Sequence, residues 1–148
     1  MENLEELEEI IQNLTTDDEK EFIALTLKLL KGLVLLFNNF PDLQEDFKDY
    51  EDIYQISIMD INLQFWFEIS KGILSYELGQ NDNNSIIVIL NKDVFIQTIQ
   101  KKIQGFDAYM KGKIRIQGDL RFAIRLRNLI KSLSRYMSYM IKEGFNFS

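Results

Sequence analysis

Histidine and cysteine are absent from the sequence. Their absence excludes disulfides, thiolate nucleophiles, Ser-His-Asp and Cys-His catalysis, and every zinc or iron site built on imidazole or thiolate. A metal held by oxygens alone, or acid/base work by carboxylates, survives as chemistry, but no motif calls for either. Of the internal acids Asp60, Glu68, Asp93, Asp107 and Asp119, two (Asp93 and Asp119) read as helix caps, and Glu68 takes a polar position in an alternating strand. The chain is therefore expected not to be an enzyme, and to need no cofactor and no metal. Proline occurs once, and no Pro/Gly-rich or low-complexity stretch interrupts the chain. At 148 residues one core suffices, burying roughly 70% of the surface that the unfolded chain exposes.

Long apolar runs are also missing. The most apolar stretch, Phe22 to Phe37, is interrupted by Lys28, Lys31 and Gly32, whereas a spanning helix needs about 20 apolar residues. The first nine residues are acidic, unlike a secretory leader, and Phe145-Asn146-Phe147-Ser148 matches no retention or peroxisomal tag. A cytoplasmic location is the expectation.

Charge is present but polarised. Residues 1–60 carry 16 acids and 4 bases, whereas residues 111–148 carry 2 acids and 9 bases, within a chain of net charge −6. Either the acidic third pairs with the basic quarter, or the basic face is offered to anionic lipid headgroups. Nucleic acid is not an expected partner, because the whole-chain pI is about 4.7 and no nucleic-acid-binding signature occurs.

Periodicity supplies the elements. Leu4, Leu7, Ile11 and Leu14 fall at helical spacing behind glutamates that suit a helix N-terminus. Thr16 and Glu19 have the spacing of a capping box for a long helix ending near Asn38 or Asn39, where Phe40-Pro41 stops it. From Ile53 the period becomes two. Tyr54, Ile56 and Ile58 share one face, with Ile53, Met59 and Ile61 on the other, which predicts a strand covered on both sides. In Leu63 to Ser70 the odd positions are all large and apolar, Lys71-Gly72 marks a tight turn, and Ile73 to Leu78 alternates again. An Ile/Val strand to Leu90 follows, then a helix capped within Asn91 to Asp93 and stopped by Gly105, then one further turn to Met110. A strand over Lys113 to Gln117 and a last helix capped by Asp119 complete the order. Strands in hairpins with helices grouped on one side predict an α+β fold.

Met110-Lys111-Gly112-Lys113-Ile114-Arg115-Ile116-Gln117-Gly118-Asp119-Leu120, followed by Ala123 and Leu126, resembles a signature of the sterol carrier protein-2 (SCP2) lipid-transfer family. Asn91-Lys92-Asp93-Val94-Phe95, the hairpin Phe65 to Leu78 around Lys71-Gly72, and Phe40-Pro41 are similar to other parts of that family. The resemblance runs from about Phe37 to Leu133. It implies an SCP2-like five-stranded sheet covered by helices that enclose an apolar tunnel for a sterol, fatty acyl or isoprenoid tail. It also implies a division into an N-terminal helical extension, residues 1–36, packed on a lipid-binding domain, residues 37–148. No catalytic residue carries over.

The tunnel lining maps onto inward positions: Ile56, Ile58, Phe65, Phe67, Ile69, Ile87, Ile89, Phe95, Ile99, Met110, Ile114, Ile116, Leu126, Ile130, Leu133 and Met137. Such stripes serve equally as plain core. Arg121, Arg125, Arg127, Lys131 and Arg135 on the last helix form a candidate membrane-contact face, against the alternative that they pair with the acidic N-terminal third. The expected partner is a lipid, with transient contact to an anionic membrane. A ligand-free interaction or dimerisation module, monomer or homodimer, and an accessory factor for isoprenoid quinone biosynthesis are the alternatives.

Overall fold

The computed structural model describes residues 4–143. The first three residues of the acidic N-terminus and the C-terminal Phe145 to Ser148 lie outside the described residues. The order is α1 (Leu4–Asn13), α2 (Glu19–Asn38), α3 (Pro41–Asp46), β1 (Asp52–Ile58), β2 (Leu63–Ser70), β3 (Ile73–Leu78), β4 (Ile86–Leu90), α4 (Lys92–Ile99), α5 (Gly105–Met110), β5 (Arg115–Gly118) and α6 (Leu120–Lys142). The strands form one mixed sheet in the order β3-β2-β1-β4-β5, in which only the central pair β1 and β4 runs parallel. The fold class is α+β, as the segregation of strands and helices predicts.

Alternation decides the register. Ile56 stands between Phe65 on β2 and Val88 on β4, and Val88 in turn opposes Ile116 on β5. One face of the sheet is thereby apolar from edge to edge, and the helices cover it: α2 contributes Phe22, Leu29, Leu30, Leu36 and Phe37, and α6 contributes Leu126, Leu129 and Leu133. α2 carries the chain without a break across residue 36. Lys92 of α4 donates through Nζ to the Thr16 carbonyl at 2.6 Å, and Gln100 donates to the Ile11 carbonyl at 2.9 Å, so the α1–α2 connection is tied to the sheet's cover.

Both edges are protected. The β2–β3 turn is made by Lys71 and Gly72 at φ 53° and 73°, the doubly positive geometry that matches strand twist in a two-residue hairpin. On β3, the Asn38 side-chain amide donates to the Leu74 carbonyl at 2.8 Å and accepts from the Leu74 amide at 3.0 Å, so that the last residue of α2 occupies backbone groups that would otherwise template another strand. β5 is only four residues long, and it ends at Gly118, where φ is 120° and an added Cβ would lie 2.9 Å from the Ser85 carbonyl oxygen.

Several local expectations need correction. The cap of α2 is Asp18, whose carboxylate accepts from the amides of Lys20 and Glu21, while the Thr16 hydroxyl donates to Glu21 instead of closing a box with Glu19. Gly105 does not stop α4. The helix ends at Ile99, Lys101 takes the left-handed conformation at φ 61°, and Gly105 opens α5. Pro41 ends α2 as expected but also begins α3, since its fixed φ and missing donor suit a first helical position. β1 is not covered by apolar groups on both sides. Met59 and Ile61 leave the strand in a 3-10 turn, and the second face of β1 presents Gln55 and Ser57 to a groove.

Candidate functional site

The apolar layer between sheet and helices is built around Phe65. Its ring meets Phe67 at 5.9 Å and Phe95 at 6.2 Å, both edge-on, and Phe95 meets Phe22 of α2 at 6.1 Å in the same manner. T-shaped contact of this kind aligns ring edges with π faces and fixes the spacing of the elements that carry them. Of the positions expected to face a lipid, Ile56, Ile58, Phe65, Ile69, Phe95, Ile114, Leu126 and Leu133 are buried in this layer. Phe67, Ile99, Ile116 and Met137 are half-buried against it. One polar group sits among the buried apolar ones: Thr26 is fully buried on α2, and its hydroxyl has no hydrogen-bond partner among the described residues.

Four of the expected positions lie elsewhere. Ile87 and Ile89 point to the opposite face of the sheet, because β4 is apolar on both sides and its alternation is uninformative about which side the helices cover. Met110 is 67% exposed and Ile130 45% exposed. α5 turns Ala108 inward, and Met110 falls on the outer side of that short helix.

The cations of α6 divide in the same way. Arg125 does not stand free. Its Nε donates to Asp52 Oδ2 at 2.7 Å, its guanidinium lies 3.9 Å from the centre of the Tyr50 ring, and Tyr54 donates its hydroxyl to the same Asp52 oxygen at 2.6 Å. The Asp52 carboxylate is 1% exposed. Burial, and then the Asp52 carboxylate beside it, push the Tyr54 hydroxyl far above the ordinary phenol range, while the hydrogen bond to Asp52 raises Arg125 further. Arg125 is thus a strut between α6 and the start of β1, and the expectation that it contacts a membrane is corrected on this geometry. Arg121 is exposed but ion-paired with Asp119 at 2.7 Å, a pair that lowers the Asp119 carboxyl. Arg127, Lys131 and Arg135 remain on the solvent face of the helix, with no carboxylate within ion-pair distance among the described residues.

The far face of the sheet carries a groove of about 250 Å³ that the sequence does not announce, floored by Ile87 and Ile89 and walled by amides. Gln55 holds its wall together. Its Nε2 donates to the carbonyls of Phe65 and Gly79, and its Oε1 accepts from the Asn81 amide at 2.8 Å. The advance sign of this network is one glutamine in the middle of an isoleucine-rich strand. Among the described residues no three acids come together as a cation cage.

The comparisons agree with this architecture. A solved sterol carrier protein 2 like 2 from Aedes aegypti matches with a TM-score of 0.56 at 16% identity, over 70% of this chain and 95% of that one. A structure described as the UbiJ-SCP2 ubiquinone synthesis protein matches with a TM-score of 0.57 at 11% identity, over 74% and 96%. The inverting sec-alkylsulfatase Pisa1 from Pseudomonas sp. matches with a TM-score of 0.52 at 17% identity, over 60% of this chain, which spans only 14% of that enzyme's length. At these identities the likeness is one of fold. No curated protein matches the sequence. A family model described as the SCP-2 sterol transfer family matches residues 31–131, which reach from the second half of α2 well into α6. The chain belongs to the SCP-2 sterol transfer family.

Proposed function

We propose that the protein is a non-catalytic lipid-binding or lipid-transfer protein that holds an apolar tail between its sheet and its helices. The observation that carries this reading is the family match over residues 31–131, falling on a sheet whose one apolar face is covered by helices. The lining assigned from the sequence supplies the chemistry. Ile56, Phe65, Phe95, Ile116 and Leu126 offer an aliphatic or aromatic surface, and displacement of water from a tail contributes about 0.8 kcal/mol per methylene. Half-buried Met137 and Ile99 at the margin of this layer can yield to a ligand with little loss, methionine in particular because of its three flexible bonds. Residues 1–36 serve as an extension packed on the lipid-binding unit, and the protein works from the cytoplasm. Arg127, Lys131 and Arg135 favour encounter with an anionic membrane during loading and release.

The test is extraction of the purified full chain with organic solvent and mass spectrometry of the extract, together with titration of a fluorescent fatty acid into delipidated protein. A bound sterol, acyl or isoprenoid compound identifies the cargo. Failure of both experiments overturns the reading, and a stable homodimer by light scattering in that case favours the ligand-free interaction module.

A further inference from the structure

We propose that the corner formed by α4, α5 and the turn into β5 is a docking surface for an anionic lipid bilayer, with Phe106 and Met110 entering the headgroup layer and four lysines holding lipid phosphates. The chain builds this corner for identifiable reasons. Lys101 reverses the backbone after α4 in the left-handed conformation. The Ala108 carbonyl then accepts from the amide of Lys113 at 2.8 Å, which folds the turn after α5 back onto that helix. Lys101, Lys102, Lys111 and Lys113 line one cavity of about 380 Å³, with Asp107 as its only acid. None of the four ammonium groups has an ion pair or a side-chain hydrogen bond among the described residues.

In a chain of net charge −6, four unpaired lysines about one cavity are not a consequence of composition. Charge alone would suit any polyanion. The choice of a bilayer rests on the other side of α5. Ala108 is buried at 2% exposure, and directly opposite it Phe106 and Met110, one helical turn apart, are 58% and 67% exposed. A soluble polyanion gains nothing from a phenyl ring and a thioether beside its binding site. A membrane interface accepts both, while the lysine stems lie along the acyl boundary and their ammonium groups reach the phosphates. The surface is separate from the α6 stripe and from the proposed lipid-binding layer. It does not depend on there being any cargo.

The experiment is co-sedimentation of the full chain with vesicles of phosphatidylcholine alone and of phosphatidylcholine with 30% phosphatidylglycerol. The expected result is binding only to the anionic vesicles, weakened by salt. Each lysine near such a surface is worth about fivefold in affinity, so Lys111→Ala with Lys113→Ala reduces binding about 25-fold. Phe106→Ser with Met110→Ser reduces it further without altering the melting curve, since both side chains face solvent. Arg127→Ala with Lys131→Ala on α6 has a smaller effect. The proposal is overturned if anionic vesicles are not bound, if neutral vesicles are bound equally, or if only the α6 variant weakens binding. It is also overturned if inorganic phosphate shifts the lysine NMR signals while vesicles do not. A chain that binds vesicles but neither yields an extracted lipid nor takes up the fluorescent fatty acid supports this surface and rejects the cargo reading, and the converse result does the opposite.

Discussion

Replacement of Arg125 by methionine tests whether this arginine is a structural strut or a surface cation. The variant keeps the length and apolar stem of the side chain but leaves Asp52 with one of its two hydrogen bonds, the 2.6 Å bond from Tyr54, and with a carboxylate that is 1% exposed. Breaking a fully buried pair costs about 3–5 kcal/mol. Arg125 is itself 32% exposed, so water can reach the carboxylate once the guanidinium is gone, and the lower end of the range applies. The stack on the Tyr50 ring, 3.9 Å away, is lost, but a methionine sulfur on the same ring recovers much of its value of about 0.5–1 kcal/mol. The expected loss is about 2–3 kcal/mol, which for a domain of this size lowers Tm by about 5–10 °C. Urea unfolding gives the number, and a double-mutant cycle with Asp52→Asn is expected to show coupling above about 1 kcal/mol. Vesicle binding should be unchanged. A loss below about 0.5 kcal/mol with no coupling to Asp52→Asn, or a loss of vesicle binding at unchanged stability, would refute the argument.

Tyr54→Phe is expected to flatten the alkaline limb of the stability curve. The Tyr54 hydroxyl titrates above its ordinary value of 10.0 in the folded state, so its stabilisation is complete below about pH 10 and is lost above it, as the unfolded chain gives up the proton first, at up to about 1.4 kcal/mol per pH unit. Tyr136, raised by desolvation and by Asp42 and Asp46, contributes a slope of the same sign. The variant therefore reduces the slope, and an unchanged slope in urea titrations between pH 9 and 11 would contradict the assignment. Gly118→Ala should destabilise by about 3 kcal/mol, because the new Cβ meets the Ser85 carbonyl at a backbone angle that side chains rarely adopt. A loss under about 1 kcal/mol by chemical denaturation would show that β5 can shift. Thr26→Val removes a buried hydroxyl that has no partner among the described residues and should stabilise delipidated protein by about 1 kcal/mol. Destabilisation in a thermal melt would mean that the hydroxyl is bonded in solution.

The elements that could be read in advance are those whose cause is local. The β2–β3 hairpin follows from odd-position alternation around Lys71-Gly72, and Asp119 caps the helix that follows it because a short acceptor side chain needs only the next two or three amides; within Asn91 to Asp93 the cap is Asn91, and Asp93, which read as a cap, lies in the first turn of α4. Periodicity also placed Phe65, Leu126 and Leu133 in one layer. It failed at β4, where unbroken apolarity hides which alternate residues face the helices, and at α5, where six residues are too few to set a phase. The Asp52–Arg125 pair joins groups 73 residues apart, and the Asn38 amide closes an edge strand 36 residues away. Neither leaves a mark in its own neighbourhood. Both depend on the sheet already being assembled.

The two readings of the chain's charge polarity meet in this geometry. Pairing of the acidic third with the basic quarter does occur at Arg125 and Asp52, where a part-exposed guanidinium meets a buried carboxylate. Among the described residues most of the other C-terminal cations have no ion pair. Five of those cations stand in two groups, Arg127, Lys131 and Arg135 on α6, and Lys111 and Lys113 beside Lys101 and Lys102 at the α5 corner. The second group adjoins Phe106 and Met110, exposed one helical turn apart on a helix whose inner side is anchored in the core, and the first adjoins exposed Ile124 and Ile130 on α6. Long-range attraction serves either group, and it decays within about 8–10 Å at physiological salt. Apolar insertion persists where that attraction is screened. A residual affinity for anionic vesicles at high salt should therefore depend on Phe106 and Met110, and the salt-sensitive remainder on lysine and arginine.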